Sequence, residues 1–251
     1  MMPRVVAAET LDGLAENDPA AMRSRRDLQR VHRMMGTRAM VTQALRRMST
    51  ARTTHSPLRI LELGAGDGSL MLGVARALKG ACPRVELMLL DRQALVGCAT
   101  VAHYADLGWT AVSQVMDVFV WAASDEAPQP GRSASACWDV IVSNLFLHHF
   151  ENPPLASLLV AIESRTEHFF ACEPRRAPLA LVGSHLIGAI GANSVTRQDA
   201  VLSVHAGFRD QEISALWPAR KAAWTLNEYS AGLFSHCFRA ERIEIDGATP
   251  P

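Results

Sequence analysis

The sequence predicts an α/β fold in which helices cover both faces of a mostly parallel β-sheet. Three observations predict this class. Short apolar runs alternate with longer helical patterns along most of the 251 residues, as is typical of βαβ units. The first apolar run ends in a glycine-rich loop at 64–68. Acidic residues close or follow several of the runs, where parallel sheets bind ligands beyond the carboxyl ends of their strands.

Seven strands and the helices between them can be placed from the pattern of apolar residues. The strands are expected at 58–63, 85–90, 111–116, 139–143, 168–172, 224–229 and 235–243. The helices of this part are expected at 69–78, 93–105, 118–122, 153–165 and 199–206. A segment at 124–136 that is rich in Ser, Pro and Ala is predicted to be a surface loop.

Composition narrows the class of partner. The chain has 25 Lys and Arg and 25 Asp and Glu, so its formal net charge is zero. A strong nucleic-acid binder usually carries a basic excess, so we expect a small-molecule partner and no nucleic acid. The five cysteines form no C-x-x-C pair, which indicates a reducing compartment. The first residues are acidic and carry no apolar stretch, so no secretory signal is expected and the predicted location is cytoplasmic.

The glycine loop reads Glu62-Leu63-Gly64-Ala65-Gly66-Asp67-Gly68. Glycines allow backbone conformations with positive φ and a close approach to a ligand, and a following helix directs free N–H groups at an anion. A dinucleotide loop has the spacing G-x-G-x-x-G/A, but here Gly68 comes one residue early and Ser69 takes the last position. The spacing instead resembles motif I of the class I S-adenosylmethionine-dependent methyltransferases.

That resemblance extends over most of the chain, from about residue 58 to residue 243. It implies a Rossmann-like sheet of seven strands with an antiparallel last strand, and S-adenosyl-L-methionine as the cofactor. The methyltransferase domain would occupy 51–251, preceded by a helical extension or lid at 1–50. The run Leu147-His148-His149-Phe150 is similar to that of family members that act on quinone precursors and phenols.

The resemblance also implies which residues bind the cofactor. Asp91, with Arg92 beside it, would hold the ribose hydroxyls. Asp117 and Val118 would receive the adenine, although Asp117 could equally cap the next helix, and both roles are compatible. Asn144 and Leu145 would lie under the methionine end. The expected cofactor-binding residues are Glu62, Gly64, Ala65, Gly66, Gly68, Asp91, Arg92, Asp117, Val118, Asn144 and Leu145.

Three histidines are candidates for a general base, since a hydroxyl acceptor must lose a proton during methyl transfer. His148 is the first choice, with His149 beside it and His185 in a later apolar segment. Neighbouring side chains on a helix point about 100° apart, so we expect one histidine in the pocket, no shared metal ion, and metal-independent transfer. Glu173 is a further candidate, either orienting the acceptor or pairing with Arg175 or Arg176.

The acceptor pocket is expected to use a helical insertion at 177–206. Its part at 177–195 contains no Asp, Glu, Lys or Arg, which favours a lipophilic aromatic acceptor such as a phenol, a quinol or a polyketide-derived hydroxyl of secondary metabolism. Its glycines, His185 and Asn193 argue against a transmembrane helix, leaving at most peripheral membrane contact. The alternatives are C- or N-methylation, an NAD-dependent oxidoreductase, and a non-catalytic protein that binds the same cofactor.

The N-terminal 50 residues have two open interpretations. Residues 1–19 are expected to be loosely held, followed by helices at 20–35 and 37–48. Asp18 and Pro19 suit the start of the first of these helices. The basic run at 24–36 is either a solvated helix face or a lid helix whose arginine or histidine reaches the cofactor carboxylate.

Overall fold

A computed structural model describes residues 2–50, 56–82, 84–124, 138–218 and 223–243. These residues form a central sheet of seven strands surrounded by helices. The strands are β1 Leu58–Leu63, β2 Val85–Asp91, β3 Trp109–Val115, β4 Trp138–Asn144, β5 Thr166–Pro174, β6 Trp224–Ala231 and β7 Ser235–Arg242. The helices before β4 are α1 Thr10–Gly13, α2 Pro19–Met35, α3 Thr37–Thr50, α4 Ser69–Ala77, α5 Cys98–Ala105 and α6 Val118–Ala123. Those after β4 are α7 Asn152–Arg165, α8 Pro178–Leu186, α9 Ser194–Ala206 and α10 Glu212–Leu216.

The strand order is β3-β2-β1-β4-β5-β7-β6. Strands β1 to β5 are mutually parallel, and β7 pairs antiparallel with both β5 and β6. The predicted class is therefore confirmed, including the antiparallel final strand. The order also differs from the 3-2-1-4-5-6 order of dinucleotide-binding sheets, because β7 is inserted between β5 and β6.

The core lies in two layers, one on each face of the sheet. Consecutive residues of a strand point to opposite faces, and β5 shows this with two adjacent aromatic side chains. Phe170 belongs to the same buried cluster as Tyr104 and Trp109, on the face that α3, α4 and α5 cover. Phe169 packs with Trp217 on the opposite face, beneath α7 and α10. Both phenylalanines are fully buried, so the two layers fix the position of β5.

Several element boundaries differ from the sequence-based prediction. Helix α5 begins at Cys98 and not at 93, because residues 92–95 leave the strand end along the surface of a cavity. Strand β5 is longer than predicted because β4 and β7 pair with it over almost its whole length. The predicted loop at 124–136 falls almost entirely outside the described residues.

The apolar stretch at 177–195 is not one continuous helix. Helix α8 passes into a short 3₁₀ turn, Ile187–Ile190, which ends at Gly191 with φ +83°. Asn193 then begins α9 by accepting a hydrogen bond from the Thr196 amide. Among the described residues, no helix is both long enough and apolar enough to cross a bilayer.

The N-terminal residues are not loosely held, contrary to expectation. The Val5 amide donates to the His205 carbonyl at 3.1 Å. The Arg4 guanidinium donates to the carbonyls of Ala206 and Phe150, at 2.8 Å in each case. The buried Asp199 carboxylate accepts from the amides of Thr10 and Leu11. Residues 2–13, called the N-terminal strap below, are therefore fixed on α9 by contacts that are distant in sequence.

Candidate active site

A cavity of about 290 Å³ opens at the carboxyl ends of the parallel strands. Its walls come from the loops after β1, β2, β3 and β4, from α2 and from the N-terminal strap. Ten of the eleven predicted cofactor-binding residues line it: Glu62, Gly64, Ala65, Gly66, Asp91, Arg92, Asp117, Val118, Asn144 and Leu145. The fold thus gathers residues that are more than 80 positions apart in sequence.

The loop after β1 depends on its three glycines. Gly64, Gly66 and Gly68 have φ values of +71°, +55° and +73°, which other residues rarely adopt. A Cβ at Gly64 would lie 2.4 Å from the Phe146 ring, whereas a Cβ at Gly66 would meet no atom within 4 Å. Gly66 therefore leaves space for a ligand to come close to the backbone.

Gly68 is the predicted cofactor residue that does not line the cavity. It precedes α4, and its carbonyl accepts a hydrogen bond of 2.7 Å from the buried Tyr104 hydroxyl. A Cβ at this position would lie 3.2 Å from Leu89. In the structure it contributes to the turn that positions the loop, and its contact with the cofactor stays a prediction.

The carboxylates after β2 and β3 are held by backbone amides. Asp91 accepts from the Gly66 amide at 2.8 Å and from the Gln93 amide at 2.9 Å. This ties the ends of β1 and β2 together. Asp117 accepts from the Phe119 amide at 2.8 Å and so caps α6, while it also lines the cavity. Asp117 thus caps the helix and also forms part of the cavity wall.

Glu62 is a buried carboxyl group that faces the same cavity. Burial, with the nearby charges of Asp67 and Asp91, raises the pKa of Glu62 well above its usual range. One of its oxygens, Oε2, has no hydrogen-bond partner among the described residues, and neither has Oδ1 of Asn144. Buried polar atoms are rarely left unpaired. The two oxygens are therefore suited to a ligand that brings a positive charge or N–H donors.

The loop after β4 is organised around Glu173, at the end of β5. This fully buried carboxylate accepts from the amides of Phe146, Leu147 and His148, over 3.0–3.4 Å, and from the His148 ring at 2.8 Å. The predicted arginine partners do not pair with it, and Arg176 pairs instead with Glu212. Glu173 therefore holds the histidine loop in place and does not orient the acceptor.

His148 lies between two carboxylates. Its Nδ1 is 2.8 Å from Oε2 of Glu173, and its Nε2 is 3.3 Å from Oε1 of Glu9 in the N-terminal strap. Burial alone would lower the pKa of His148, but the hydrogen bonds to Glu173 and Glu9 raise it to about 9. For Glu9 the signs are opposite. Burial alone would raise the pKa of Glu9, but the hydrogen bond to His148 lowers it below its usual value. Both ring nitrogens are occupied, so His148 is not the free base that the sequence suggested.

His149 lines the cavity beside it and is about one-fifth exposed. Burial and the neighbouring charge of His148 lower the pKa of His149. The two rings lie with centroids 4.3 Å apart, so the expectation that they diverge is wrong. They belong to a 3₁₀ turn, Leu147–His149, and side-chain rotation brings both rings toward Glu9.

The predicted acceptor insertion contributes little to the cavity. Of residues 177–206, only Ser203 is among the lining residues, and its hydroxyl donates to Glu9. His185 is exposed on α8, where it cannot reach the cavity, so it is not a candidate base. Leu179, Val182 and Leu186 are more than half exposed. The apolar stretch therefore faces outward, because α8 packs on α9 on the outside of the sheet.

Helix α2, which carries the basic run, has one face toward the cavity and another toward solvent. Arg25, Leu28, Gln29 and His32 line the cavity. Burial lowers the pKa of His32 to about 4, so this ring is neutral near pH 7. The arginines on the other side of the helix are solvated.

The lining residues that were not predicted from the sequence include the polar side chains of Glu9, Asp12, Gln29 and Ser203. Glu9 and Asp12 come from the N-terminal strap, and Arg92 donates to the Asp12 carbonyl at 2.8 Å. No local pattern marks them, because their place in the site depends on contacts between distant parts of the chain.

Comparison with known proteins finds similarity in structure alone. No protein-family model and no curated protein sequence matches the chain. The plantazolicin methyltransferase BpumL in complex with SAH aligns with a TM-score of 0.61 and 14% identity, over 90% of this chain and 92% of that one. The plantazolicin methyltransferase BamL aligns with a TM-score of 0.59 and 11% identity, over 92% and 93% of the two chains.

The DszA carbon methyltransferase aligns with a TM-score of 0.51 and 19% identity, over 82% of this chain and 54% of that one. The sheet of this chain has an antiparallel β7 between β5 and β6, which a dinucleotide-binding sheet lacks, and these structural neighbours are methyltransferases. The chain therefore has the fold of the class I S-adenosylmethionine-dependent methyltransferases.

Proposed function

We propose that this protein transfers a methyl group from S-adenosyl-L-methionine to a small acceptor molecule. One observation carries the proposal: the buried Glu62, with an unpaired oxygen, faces the cavity next to the open side of Gly66. The cofactor carries a positive ammonium group and a positive sulfonium. A cationic ligand offsets the repulsion that Asp67 and Asp91 exert on the Glu62 carboxylate.

The positions of the lining residues support one orientation of the cofactor in the cavity. Its ammonium group would bind Glu62 and Asn144, and its ribose hydroxyls would bind Asp91. Its adenine would reach Asp117 and Val118, leaving Leu145 beneath the sulfonium. In this proposal residues 1–50 serve as a lid, with Arg25 or His32 of α2 near the cofactor carboxylate.

The acceptor would lie at the end of the cavity that contains the two histidines. Phe146 and Phe150 form an edge-to-face pair there, with ring centroids 5.1 Å apart, and offer aromatic surface. His149 supplies a polar group at the same place. We therefore propose oxygen methylation of a small aromatic hydroxyl compound, in which alignment of acceptor oxygen, methyl and sulfur accounts for much of the rate.

A second acceptor class is favoured by one feature. Glu9 and Asp12 place two carboxylates at this end of the cavity, and these would attract the cation of an amine. N-methylation is therefore the alternative to test. Incubation with phenols and with matched amines, followed by mass spectrometry of product and S-adenosylhomocysteine, distinguishes the two classes.

Cofactor binding itself can be tested by thermal denaturation. At 100 times its dissociation constant, a ligand adds about 2.7 kcal/mol to the free energy of unfolding and raises the Tm by about 5–10 °C. We expect this shift with S-adenosylmethionine and S-adenosylhomocysteine and none with NAD. The proposal would be wrong if NAD stabilised the protein and neither S-adenosyl compound did.

A pair of glycine variants locates the binding site. Gly66→Arg should abolish the thermal shift, because the side chain would fill the close-approach position. Gly80→Arg is the matched control, since Gly80 also has positive φ, at +88°, and open space around it, but lies outside the cavity. If both variants lost the thermal shift equally, the cofactor would not bind specifically at Gly66.

A further inference from the structure

The geometry points to a divalent transition-metal site formed by Glu9, His148 and His149 at the acceptor end of the cavity. One ligand atom from each residue lies within 4.8 Å of the others. Two histidines and one carboxylate form a ligand set that binds Zn²⁺ in hydrolytic enzymes and Fe²⁺ in oxygenases. This reverses the expectation that the adjacent histidines do not share an ion.

The separation of the first two ligand atoms suits a common metal ion. His148 Nε2 and Glu9 Oε1 are 3.3 Å apart, which is long for an N–H···O hydrogen bond. Two ligands of a tetrahedral Zn²⁺ with bonds of about 2.0–2.1 Å stand about 3.3–3.4 Å apart. The neighbouring His149 ring, whose centroid lies 4.3 Å from that of His148 at an interplanar angle of 33°, brings a third donor to the same place.

The surroundings of His148 resemble the outer shell of a built metal site. Metal-binding histidines usually donate their second ring N–H to a carboxylate, which directs the other nitrogen to the ion. Here Glu173 takes that place at Nδ1 of His148, at 2.8 Å, and directs Nε2 toward Glu9. Glu173 is itself fixed by three backbone amides. The Ser203 hydroxyl donates to Oε1 of Glu9 and so holds that carboxylate beside His148.

The site would remain open on the cavity side. Three protein ligands leave at least one coordination position of Zn²⁺ for another oxygen, and all three residues line the cavity. Asp12 Oδ2, at 3.4 Å from His149 Nδ1, is close enough to orient that ring or to serve as a further ligand. The open position suits an oxygen atom of a small molecule bound in the cavity.

Metal binding can be measured without cofactor or acceptor, so the test does not depend on the proposed methyl transfer. Untagged protein of residues 1–251 carrying Cys98→Ser, to remove an exposed thiol, is dialysed against a chelator. It is then titrated with Zn²⁺ by calorimetry and with Co²⁺ by visible spectroscopy. We expect one ion per chain and a Co²⁺ spectrum typical of nitrogen and oxygen ligands.

Two variants and a control assign the ligands. His149→Ala and Glu9→Gln should weaken Zn²⁺ binding by at least about tenfold, as loss of a supporting group already does in known sites. His185→Ala removes an exposed histidine on α8 and should leave binding unchanged. Circular dichroism spectra and cooperative thermal denaturation like those of the parent protein show that the two ligand variants fold. Absence of Zn²⁺ binding by the parent protein, or equal affinity in all three variants, would overturn the proposal.

Discussion

At the scale of single residues, the buried polar groups of the site differ in whether their hydrogen-bonding atoms have partners. Glu173 is saturated with hydrogen bonds and holds a loop in position. Glu62 is equally buried but keeps an unpaired oxygen toward the cavity. Both residues are glutamates. Their hydrogen-bond partners, and not the residue type, therefore distinguish the positioning role of Glu173 from the binding role proposed for Glu62.

Glu62→Gln tests this distinction. The charge-assisted hydrogen bond to the cofactor ammonium should contribute about 1.5–3 kcal/mol, so binding of S-adenosylmethionine should weaken about 10- to 100-fold. Calorimetric titration measures the change. Glu86→Gln, on the exposed side of β2, is the control and should bind as the parent protein does. Unchanged affinity in Glu62→Gln would remove Glu62 from the cofactor site.

His149→Ala tests the acceptor end. Turnover should fall by about 100-fold or more, the usual contribution of a positioned proton-transfer or metal-binding group. Binding of S-adenosylhomocysteine should remain the same, because the cofactor does not need this ring. Steady-state assays of this variant beside His185→Ala provide the comparison. Equal kcat in the two variants would show that His149 does not touch the acceptor.

At the scale of secondary-structure elements, the glycine loop is held by contacts from neighbouring elements. Asp91 at the end of β2 binds the Gly66 amide, and Tyr104 of α5 binds the Gly68 carbonyl. The loop therefore keeps its open conformation with both of its sides fixed. A preformed loop loses less conformational entropy when a ligand binds.

Tyr104→Phe measures the contribution of the second contact. Loss of the hydroxyl leaves a buried carbonyl unpaired and should lower the free energy of unfolding by about 1–3 kcal/mol. Urea denaturation reports this change. The chain contains one other tyrosine, and Tyr229→Phe is the control because Tyr229 is 42% exposed on β6. Equal stability of the two variants would argue against a structural role for the Tyr104 hydroxyl.

At the scale of the whole molecule, the N-terminal strap joins α9 to the cavity. Asp199 holds the start of α1, and Glu9 and Asp12 then reach the histidine loop and Arg92. Residues near the chain start thus complete a site that is built mainly from strand ends. Opening of the strap would expose that site to solvent.

Asp199→Ala should release the strap. Because two backbone amides lose a buried charged acceptor, we expect amide hydrogen exchange in residues 2–13 to rise at least about tenfold. Mass spectrometry of the exchanged peptides should show the strands of the sheet unchanged. Asp106→Ala, at the exposed end of α5, should leave the strap protected. Protection of the strap in Asp199→Ala would show that other contacts hold it.

The strand ends of the site can be predicted from the sequence alone. Buried parallel strands are recognisable as continuous apolar runs, and the glycine spacing and the acids that follow the runs are local patterns. These patterns identify Glu62, Gly66, Asp91, Asp117 and Asn144, and the fold brings all five to one cavity. The same patterns do not show that Gly68 lies outside the cavity wall, because glycine spacing does not reveal which side of a turn faces the cavity.

Tertiary structure decided what happens at the acceptor end. The sequence placed His148 near the acceptor, but only packing places it between Glu9 and Glu173, which lie 139 and 25 positions away in the chain. Tertiary packing also turns the apolar stretch at 177–195 outward and places His185 away from the cavity. Local sequence therefore determined the sheet and its cofactor loop, since periodicity and glycine spacing act over neighbouring residues. The partners of each buried charge depended on the packing of distant segments, which no local pattern records.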